Sequence, residues 1–206
     1  MNKNPIVKTP FTISKTIQRG FTLLELMVTL AVAAVLAALA APSFQSAIAT
    51  SRLKAQANDI VGAIAMARSE AIRRGTRVTI CKSGNQTSCA TTGNWEQGWI
   101  SFIDTTRDAT ATAATVDAGE TVIAVGQVTN TSNVIKGSTD LANYVSFASD
   151  GRAKTMAGAA QSGTLRVCST SSALSDAQRA RDIEIIASGR TTSSTPSSIT
   201  STCSAP

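Results

Sequence analysis

The stretch "RGFTLLELMV", residues 19–28, places one carboxylate inside an apolar run. Glu25 follows Phe21 by four positions, and no other charged residue occurs between Leu26 and Ala41. The run from 21 to 41 is long enough to cross the ~30 Å apolar core of a bilayer. A lone acid at bilayer depth costs about 2.5–3.5 kcal/mol on insertion scales, so Glu25 needs a positively charged partner.

The positive charge of the chain is concentrated before this run. The formal net charge is +6, from 19 basic and 13 acidic residues. Four of the basic residues and no acid precede Gly20, and they are Lys3, Lys8, Lys15 and Arg19. Without them the net charge is about +2, so the rest of the chain is not strongly basic. This distribution argues against a protein whose whole body binds nucleic acid.

The composition gives no support for an enzyme. The chain has no histidine, which excludes Ser-His-Asp and Cys-His catalysis and every His-ligated metal. The cysteines are too far apart for a CxxC zinc site, and Asp and Glu are scattered singly. No phosphate-binding loop occurs. We therefore expect no catalytic residue, no metal and no cofactor.

The cysteines indicate an oxidising compartment. Their number is even and they follow the apolar run, at Cys81, Cys89, Cys168 and Cys203. This arrangement predicts two disulfides. Three pairings are possible. Cys81–Cys89 and Cys168–Cys203 are favoured, because each pair closes a polar loop or the tail locally.

The chain after the apolar run changes from helical to strand-like periodicity. Residues 42–75 show an apolar stripe at spacings of three and four, and Gly75 is a plausible C-terminal cap after Arg73 and Arg74. Alternating or β-branched segments then predict strands, at 77–81, 98–104, 120–125, 132–136, 144–153 (with an Asp-Gly turn), 163–168 and 182–189. The Ser/Thr-rich tail after Arg190 has little to bury. The order predicts an α+β fold: a long N-terminal helix, transmembrane in its first half and amphipathic in its second, packed against antiparallel sheet.

The sequence G-F-T-L-L-E-L resembles the type IV prepilin motif, which covers residues 15 to about 45. The resemblance implies that a prepilin peptidase cuts after Gly20, that Phe21 becomes N-methylated, and that Glu25 guides assembly by pairing with another subunit's terminus. The alternatives are a secretory signal peptide cut in "ALAAPS" (38–43), or a Glu25 that is simply tolerated at the membrane face.

Three further stretches resemble the GspH/FimT family of minor pilins and pseudopilins. They are "ARSEAI" followed by "RVTIC" within 57–81, "NWEQGWISFID" (94–104), and the pair "ASDGRA" (148–153) and "ASGR" (187–190). The resemblance implies a pilin-like fold with four parts: a leader (1–20), a transmembrane helix (21–41), an amphipathic helix of the head (42–75) and a β-rich head with a disulfide-tied tail (76–206).

The family resemblance implies a structural role. The expected protein is a minor pilin of the FimU/FimT kind, which primes pilus assembly at the filament tip. The alternative is a GspH-like pseudopilin of type II secretion. The expected partners are other minor pilins and the major pilin, or pseudopilins, together with the prepilin peptidase. The expected location is the inner membrane, with one span and a periplasmic head, before entry into the filament.

A second alternative is DNA uptake, because FimT-type members carry a C-terminal G-R-x-R motif that contacts DNA. Here Gly189 and Arg190 match, but Thr192 replaces the second arginine and no basic residue follows. Since phosphate contacts determine nonspecific affinity, DNA binding is only weakly supported. The arginines 68, 73, 74 and 77 are better read as a solvated helix end, with Arg68 and Glu70 as a surface pair. Trp95 and Trp99 are expected to pack in or beside the core.

Overall fold

A single long helix begins the described part of the protein. The computed structural model describes residues 20–106, 110, 113–127 and 132–206. The chain divides into two compact units, Met1–Ala41 and Pro42–Pro206. Helix α1 (Leu23–Arg74) begins in the first unit and ends in the second. The expected leader lies outside the described residues except for Gly20. In the first unit the apolar side chains of α1 are exposed, and the helix is long and apolar enough to cross a membrane.

In the second unit, α1 buries one face. The buried positions recur every three or four residues, at Leu53, Gln56, Ala57, Ile60, Ala63, Ile64, Ala67 and Ala71. This is the apolar stripe that the sequence predicts. The helix ends at Arg74, and Gly75 follows with φ +66° and donates its N–H to the carbonyl of Ile72 (3.3 Å). The expected glycine cap is therefore present, because only glycine adopts this conformation without strain.

Within the described residues, eight strands form two four-stranded antiparallel sheets. They are β1 (Val78–Lys82), β2 (Trp99–Ile103), β3 (Val122–Gly126), β4 (Asn133–Gly137), β5 (Tyr144–Phe147), β6 (Gly163–Ser169), β7 (Ala180–Ile185) and β8 (Thr191–Ser194). The first sheet has the order β3-β2-β1-β5, and the second has the order β4-β6-β7-β8. Every pair of neighbours is antiparallel.

The core lies between the helix and both sheets. Ile60 and Ile64 of α1 share one cluster with Ile80 of the first sheet and with Leu165 and Ile183 of the second. The first sheet is also covered on its other face, where Ile100 and Phe102 belong to a second cluster. The expected α+β architecture, a long helix packed against antiparallel sheet, is confirmed.

A short 3-10 turn, Trp95–Gln97, lies between β1 and β2 of the first sheet and is hydrogen-bonded to β4 of the second. The Trp95 side chain is buried and donates its indole N–H to the carbonyl of Leu141 (3.0 Å). Glu96 accepts the backbone N–H of Ile135, in β4, at 3.0 Å. The expectation that Trp95 packs in the core is therefore correct, and Trp99 lies half-buried beside Gly126.

Two strand predictions need correction. The last predicted strand (182–189) is shorter at its C-terminal end, because a turn between Ile186 and Arg190 follows β7. The tail after Arg190, which has little to bury, nevertheless begins with strand β8. This strand lies at the sheet edge, where polar residues such as Thr191 and Ser194 remain accessible to solvent.

Candidate functional site

The N-terminal motif is built around the first turn of α1. Thr22 precedes the helix, and its hydroxyl oxygen accepts the backbone N–H of Glu25 at 3.2 Å. The carbonyl of Thr22 accepts the N–H of Leu26 at 3.1 Å. Glu25 thus lies in the first turn, where the unpaired N–H groups of a helix favour a negative charge.

The positions expected to be processed lie just before this turn. Gly20 and Phe21 are both exposed, and Phe21 exposes 78% of its surface. Gly20 has open space around it, since an added Cβ would meet no atom within 4 Å. A new amine at Phe21 would add a positive charge to the helix end that carries Glu25. The T-x-x-E spacing from Thr22 to Glu25 is a helix-capping signal that the sequence analysis missed.

The four cysteines form two disulfides. Cys81 is bonded to Cys89 and Cys168 is bonded to Cys203, with Cα–Cα distances of 5.6 and 5.7 Å. This is the locally closing pairing that the sequence analysis favoured. The first disulfide closes the loop after β1, and the second connects the tail to β6.

The tail also contacts a buried ion pair. Arg166 of β6 and Asp182 of β7 lie opposite each other and form two hydrogen bonds of 2.7 Å. The same guanidinium donates to the carbonyls of Ser204 (3.3 Å) and Ala205 (3.4 Å). Asp182 therefore raises the pKa of Arg166, whose charge remains available to hold the tail.

The motifs "ARSEAI", "ASDGRA" and "ASGR" meet at Arg68. Its guanidinium donates to the carbonyl of Gly151 (3.0 Å), in the "ASDGRA" turn, and to that of Ser188 (3.3 Å), in the "ASGR" turn. The two turns are joined by a hydrogen bond from Ala153 N–H to the carbonyl of Ala187 (3.0 Å). Gly151 and Gly189 both have positive φ, at +75° and +79°. The three motifs, which are far apart in the sequence, are therefore adjacent in the folded head.

The expected Arg68–Glu70 surface pair is wrong. Arg68 bonds to the two turns, and Glu70 pairs instead with Arg73 and Arg74, one helical turn further on. Hydrogen bonds from these two guanidinium groups lower the pKa of Glu70 to about 2.

Arg77, the last arginine of the expected cluster, is also hydrogen-bonded within the head. Arg77 donates to the Ser146 hydroxyl (2.8 Å) and to the carbonyls of Lys154 (3.4 Å) and Thr155 (3.2 Å). The four arginines thus serve mainly internal contacts, which leaves less free positive charge than their number indicates.

Arg190, the candidate DNA contact, is exposed at the end of the turn that follows β7. Its carbonyl accepts the N–H of Ile186 at 3.1 Å. Two positions later, Thr192 pairs with Glu184 across β7 and β8, and their side chains lie 3.5 Å apart. The position of the second motif arginine therefore holds a neutral residue beside a carboxylate. This arrangement disfavours phosphate binding.

Two family models match this chain, one over the head and one over the N-terminal segment. The family model described as "Type II transport protein GspH" matches residues 56–189. The chain belongs to the GspH family. A second model, the prokaryotic N-terminal methylation motif, matches residues 15–41. No curated protein matches significantly.

Two solved structures resemble the chain, both of the type IV minor pilin FimU from Pseudomonas aeruginosa strain PAO1. The P21 crystal form has a TM-score of 0.48 and 16% identity, and the match covers 71% of this chain and 93% of FimU. The P65 form has a TM-score of 0.43 and 16% identity, and covers 73% and 96%.

The GspH-family match begins within α1 and ends at Gly189, so it contains Arg68 and both turns. Arg190, β8 and the disulfide-tied tail lie beyond it. Together with the methylation motif, the match places the chain among pilins and pseudopilins, a family of structural proteins that assemble with other pilins. The methylation motif and the apolar helix together indicate membrane anchoring and filament assembly. Among the described residues, no cluster of three His, Cys, Asp or Glu side chains is placed to hold a metal.

Proposed function

We propose that this GspH-family protein is a minor pilin of a type IV pilus. In this proposal the prepilin peptidase cuts after Gly20 and Phe21 is methylated. The subunit waits in the inner membrane with its head in the periplasm. It then joins other minor pilins at the filament tip and primes assembly of the major pilin. The observation that carries the proposal is Glu25, a single carboxylate in the first turn of an otherwise uncharged, membrane-length segment.

The proposal assigns Glu25 a role in subunit entry. In the apolar environment of a membrane or filament core, the carboxylate gains most by pairing with the ammonium group of Phe21, its own or a neighbour's. A subunit without this carboxylate loses the attraction but keeps its apolar helix. Processing after Gly20 should then continue while entry into the filament fails.

The test compares Glu25→Ala and Glu25→Gln with wild type in cells that make pili. Thr29→Ala, one turn further on in the same helix, is the matched control. We expect both Glu25 variants to be processed normally but to fall at least ~10-fold in sheared pili, equivalent to the loss of about 1.4 kcal/mol. Undiminished incorporation of the Glu25 variants would overturn the proposed role of the carboxylate.

A pseudopilin of type II secretion is the alternative within the same structural class. Deletion of the gene separates the two, because a minor pilin is needed for surface pili and a pseudopilin is needed for secretion of exoproteins. We expect the deletion to remove pili and to leave secretion intact. Loss of secretion with normal pili would identify the pseudopilin.

DNA uptake is the less supported alternative, because Arg190 is exposed but Thr192 lies beside Glu184. A gel-shift assay of residues 42–206 at two salt concentrations tests it. We expect no shift. A shift that weakens with salt and is lost in Arg190→Ala would establish DNA binding instead.

A further inference from the structure

A cavity of about 350 Å³ opens in the head beside the start of its helix. One wall is formed by α1 and the other by the beginning of β4 and the segment that follows β6. The lining includes Ile48 and Arg52 on the helix wall, and Asn133 and Ser172 on the opposite wall. Apart from two alanines and one isoleucine, every lining side chain is polar, and Arg52 is the one that carries a charge.

An incompletely bonded amide pair lies at this cavity. Asn133, which lines the cavity and is 2% exposed, donates its side-chain N–H to Oε1 of Gln56 at 2.7 Å. The remaining atoms of the pair, Oδ1 of Asn133 and Nε2 of Gln56, are buried and have no hydrogen-bond partner in the described part of the chain. The pair therefore makes this wall of the cavity polar, since Asn133 lines it directly.

The helix face beside the cavity is covered by none of the residues that the structure describes. Phe44, Ile48 and Arg52 recur every four residues, so they lie on one face of α1. Phe44 exposes 69% and Ile48 exposes 38% of its surface. Arg52 is exposed and makes no hydrogen bond or ion pair with any residue that the structure describes. Two exposed apolar side chains beside an unpaired cation form a surface for a protein rather than for a free small ion.

We propose that this cavity receives an acidic segment of a neighbouring pilin subunit. A carboxylate of that segment binds the guanidinium of Arg52, and adjoining apolar side chains cover Phe44 and Ile48. A volume of about 350 Å³ is at the lower end of ligand-site sizes, so it accommodates side chains of a chain segment. The inference rests on the proposed function, since it requires neighbouring pilin subunits.

The first test is reversal of charge in the full chain, in cells that assemble pili. Arg52→Glu is compared with Lys54→Glu, which makes the same charge change on an exposed position of the same helix that does not line the cavity. We expect Arg52→Glu to lower the amount of subunit in sheared pili at least ~5-fold relative to Lys54→Glu. Protease resistance of the head and intact disulfides in both variants show that the two proteins are folded.

The second test identifies what occupies the cavity. A photo-crosslinking amino acid is placed at Ser172, in the cavity, and at Asp150, in the turn bonded to Arg68, as the control position. We expect Ser172 to give an adduct with a pilin subunit at an acidic segment, and reversal of that acid to lysine to restore incorporation of Arg52→Glu. Equal incorporation of the two charge variants, or adducts at Ser172 with proteins other than pilins, would overturn the inference. Absence of the wild-type subunit from pili would instead overturn the proposed function.

Discussion

Arg68 donates a hydrogen bond from Nε to the carbonyl oxygen of Gly151 at 3.0 Å, across 83 positions of sequence. The same guanidinium reaches Ser188, 120 positions away, at 3.3 Å. One helical side chain thereby fixes two turns that follow different sheets, β5 of the first and β7 of the second. Arginine suits this role because its planar group donates in two directions at once.

Loss of Arg68 should destabilise the head. Every buried apolar residue of the described chain lies at or after Leu53, so residues 42–206 contain the described core and serve for stability measurements. Hydrogen bonds from charged donors contribute about 1.5–3 kcal/mol, and we expect Arg68→Ala to lower the free energy of unfolding in urea by that amount. Arg73→Ala is the control, because Arg73 is exposed and, among the described residues, pairs with Glu70 of the same helix. Equal effects of the two substitutions would contradict the role of Arg68.

Glycine at position 189 should be irreplaceable. Its φ is +79°, and an added Cβ would lie 2.1 Å from the carbonyl oxygen of Gly151 and 2.9 Å from Nε of Arg68. Backbone strain alone costs about 1–3 kcal/mol, so Gly189→Ala should lower the free energy of unfolding by at least that amount.

Gly62→Ala provides the opposite control for this substitution. Gly62 lies in α1 and an added Cβ there would meet no atom within 4 Å. We expect it to raise the free energy of unfolding by about 0.5–1 kcal/mol, since alanine is the better helix former. A stable Gly189→Ala head would show that the two turns do not approach each other as closely as described here.

The two disulfides should differ in their contributions to stability. Their sequence separations are 35 and 8 residues for Cys168–Cys203 and Cys81–Cys89. In the chain-entropy model the longer loop contributes about 4 kcal/mol and the shorter about 2.5 kcal/mol. Paired Cys→Ser substitutions, measured by urea unfolding of residues 42–206, should therefore be more destabilising at 168 and 203. The reverse order would contradict loop closure as the main contribution of these disulfides to stability.

Asp104 should make the head less stable as the pH rises from about 4 to 7. Burial raises its pKa, although the Thr79 hydroxyl (2.7 Å) and the charge of Arg77 oppose the shift. The folded state then binds the proton more tightly than the unfolded state. Stability is therefore greatest below the ordinary pKa of the group and decreases as the pH rises through the folded-state pKa.

Asp104→Asn should accordingly raise Tm at pH 7 and remove this part of the pH dependence. Asp150→Asn is a control of opposite sign, since the backbone N–H of Arg152 lowers the pKa of Asp150. Stability from that group is present above its ordinary pKa and lost as the pH falls. A thermal-unfolding series from pH 4 to pH 7 distinguishes the two, and a lower Tm for Asp104→Asn at pH 7 would contradict the burial argument.

Hydrophobic periodicity in the sequence is enough to predict the helix and most of the strands. The stripe from Leu53 to Ala71 predicted the buried helix face, and alternation predicted seven of the eight strands within a few residues. Strand β8 was missed because its sequence, TTSS, has no apolar alternation and its stability depends on pairing with β7. The division into two sheets could not be predicted either, since alternation reveals faces but not neighbours.

The site was predictable only where its residues are close in sequence. Gly20, Phe21 and Glu25 form one contiguous motif, and Thr22 could have been recognised from its spacing to Glu25. The contacts of Arg68 could not, because they depend on long-range folding that brings distant turns to one side chain. The same holds for the cavity at Arg52 and Asn133, whose walls come from three separate parts of the chain.

The central claim is that Gly20 is the last residue of a leader and that Phe21 becomes the charged partner of Glu25. Mass spectrometry of the mature protein, purified from cells that carry a prepilin peptidase, tests it most directly. We expect an N-terminal peptide that begins with N-methylated Phe21. A mature N-terminus near Ser43 would contradict it, because the apolar segment and Glu25 would then have been removed with a signal peptide.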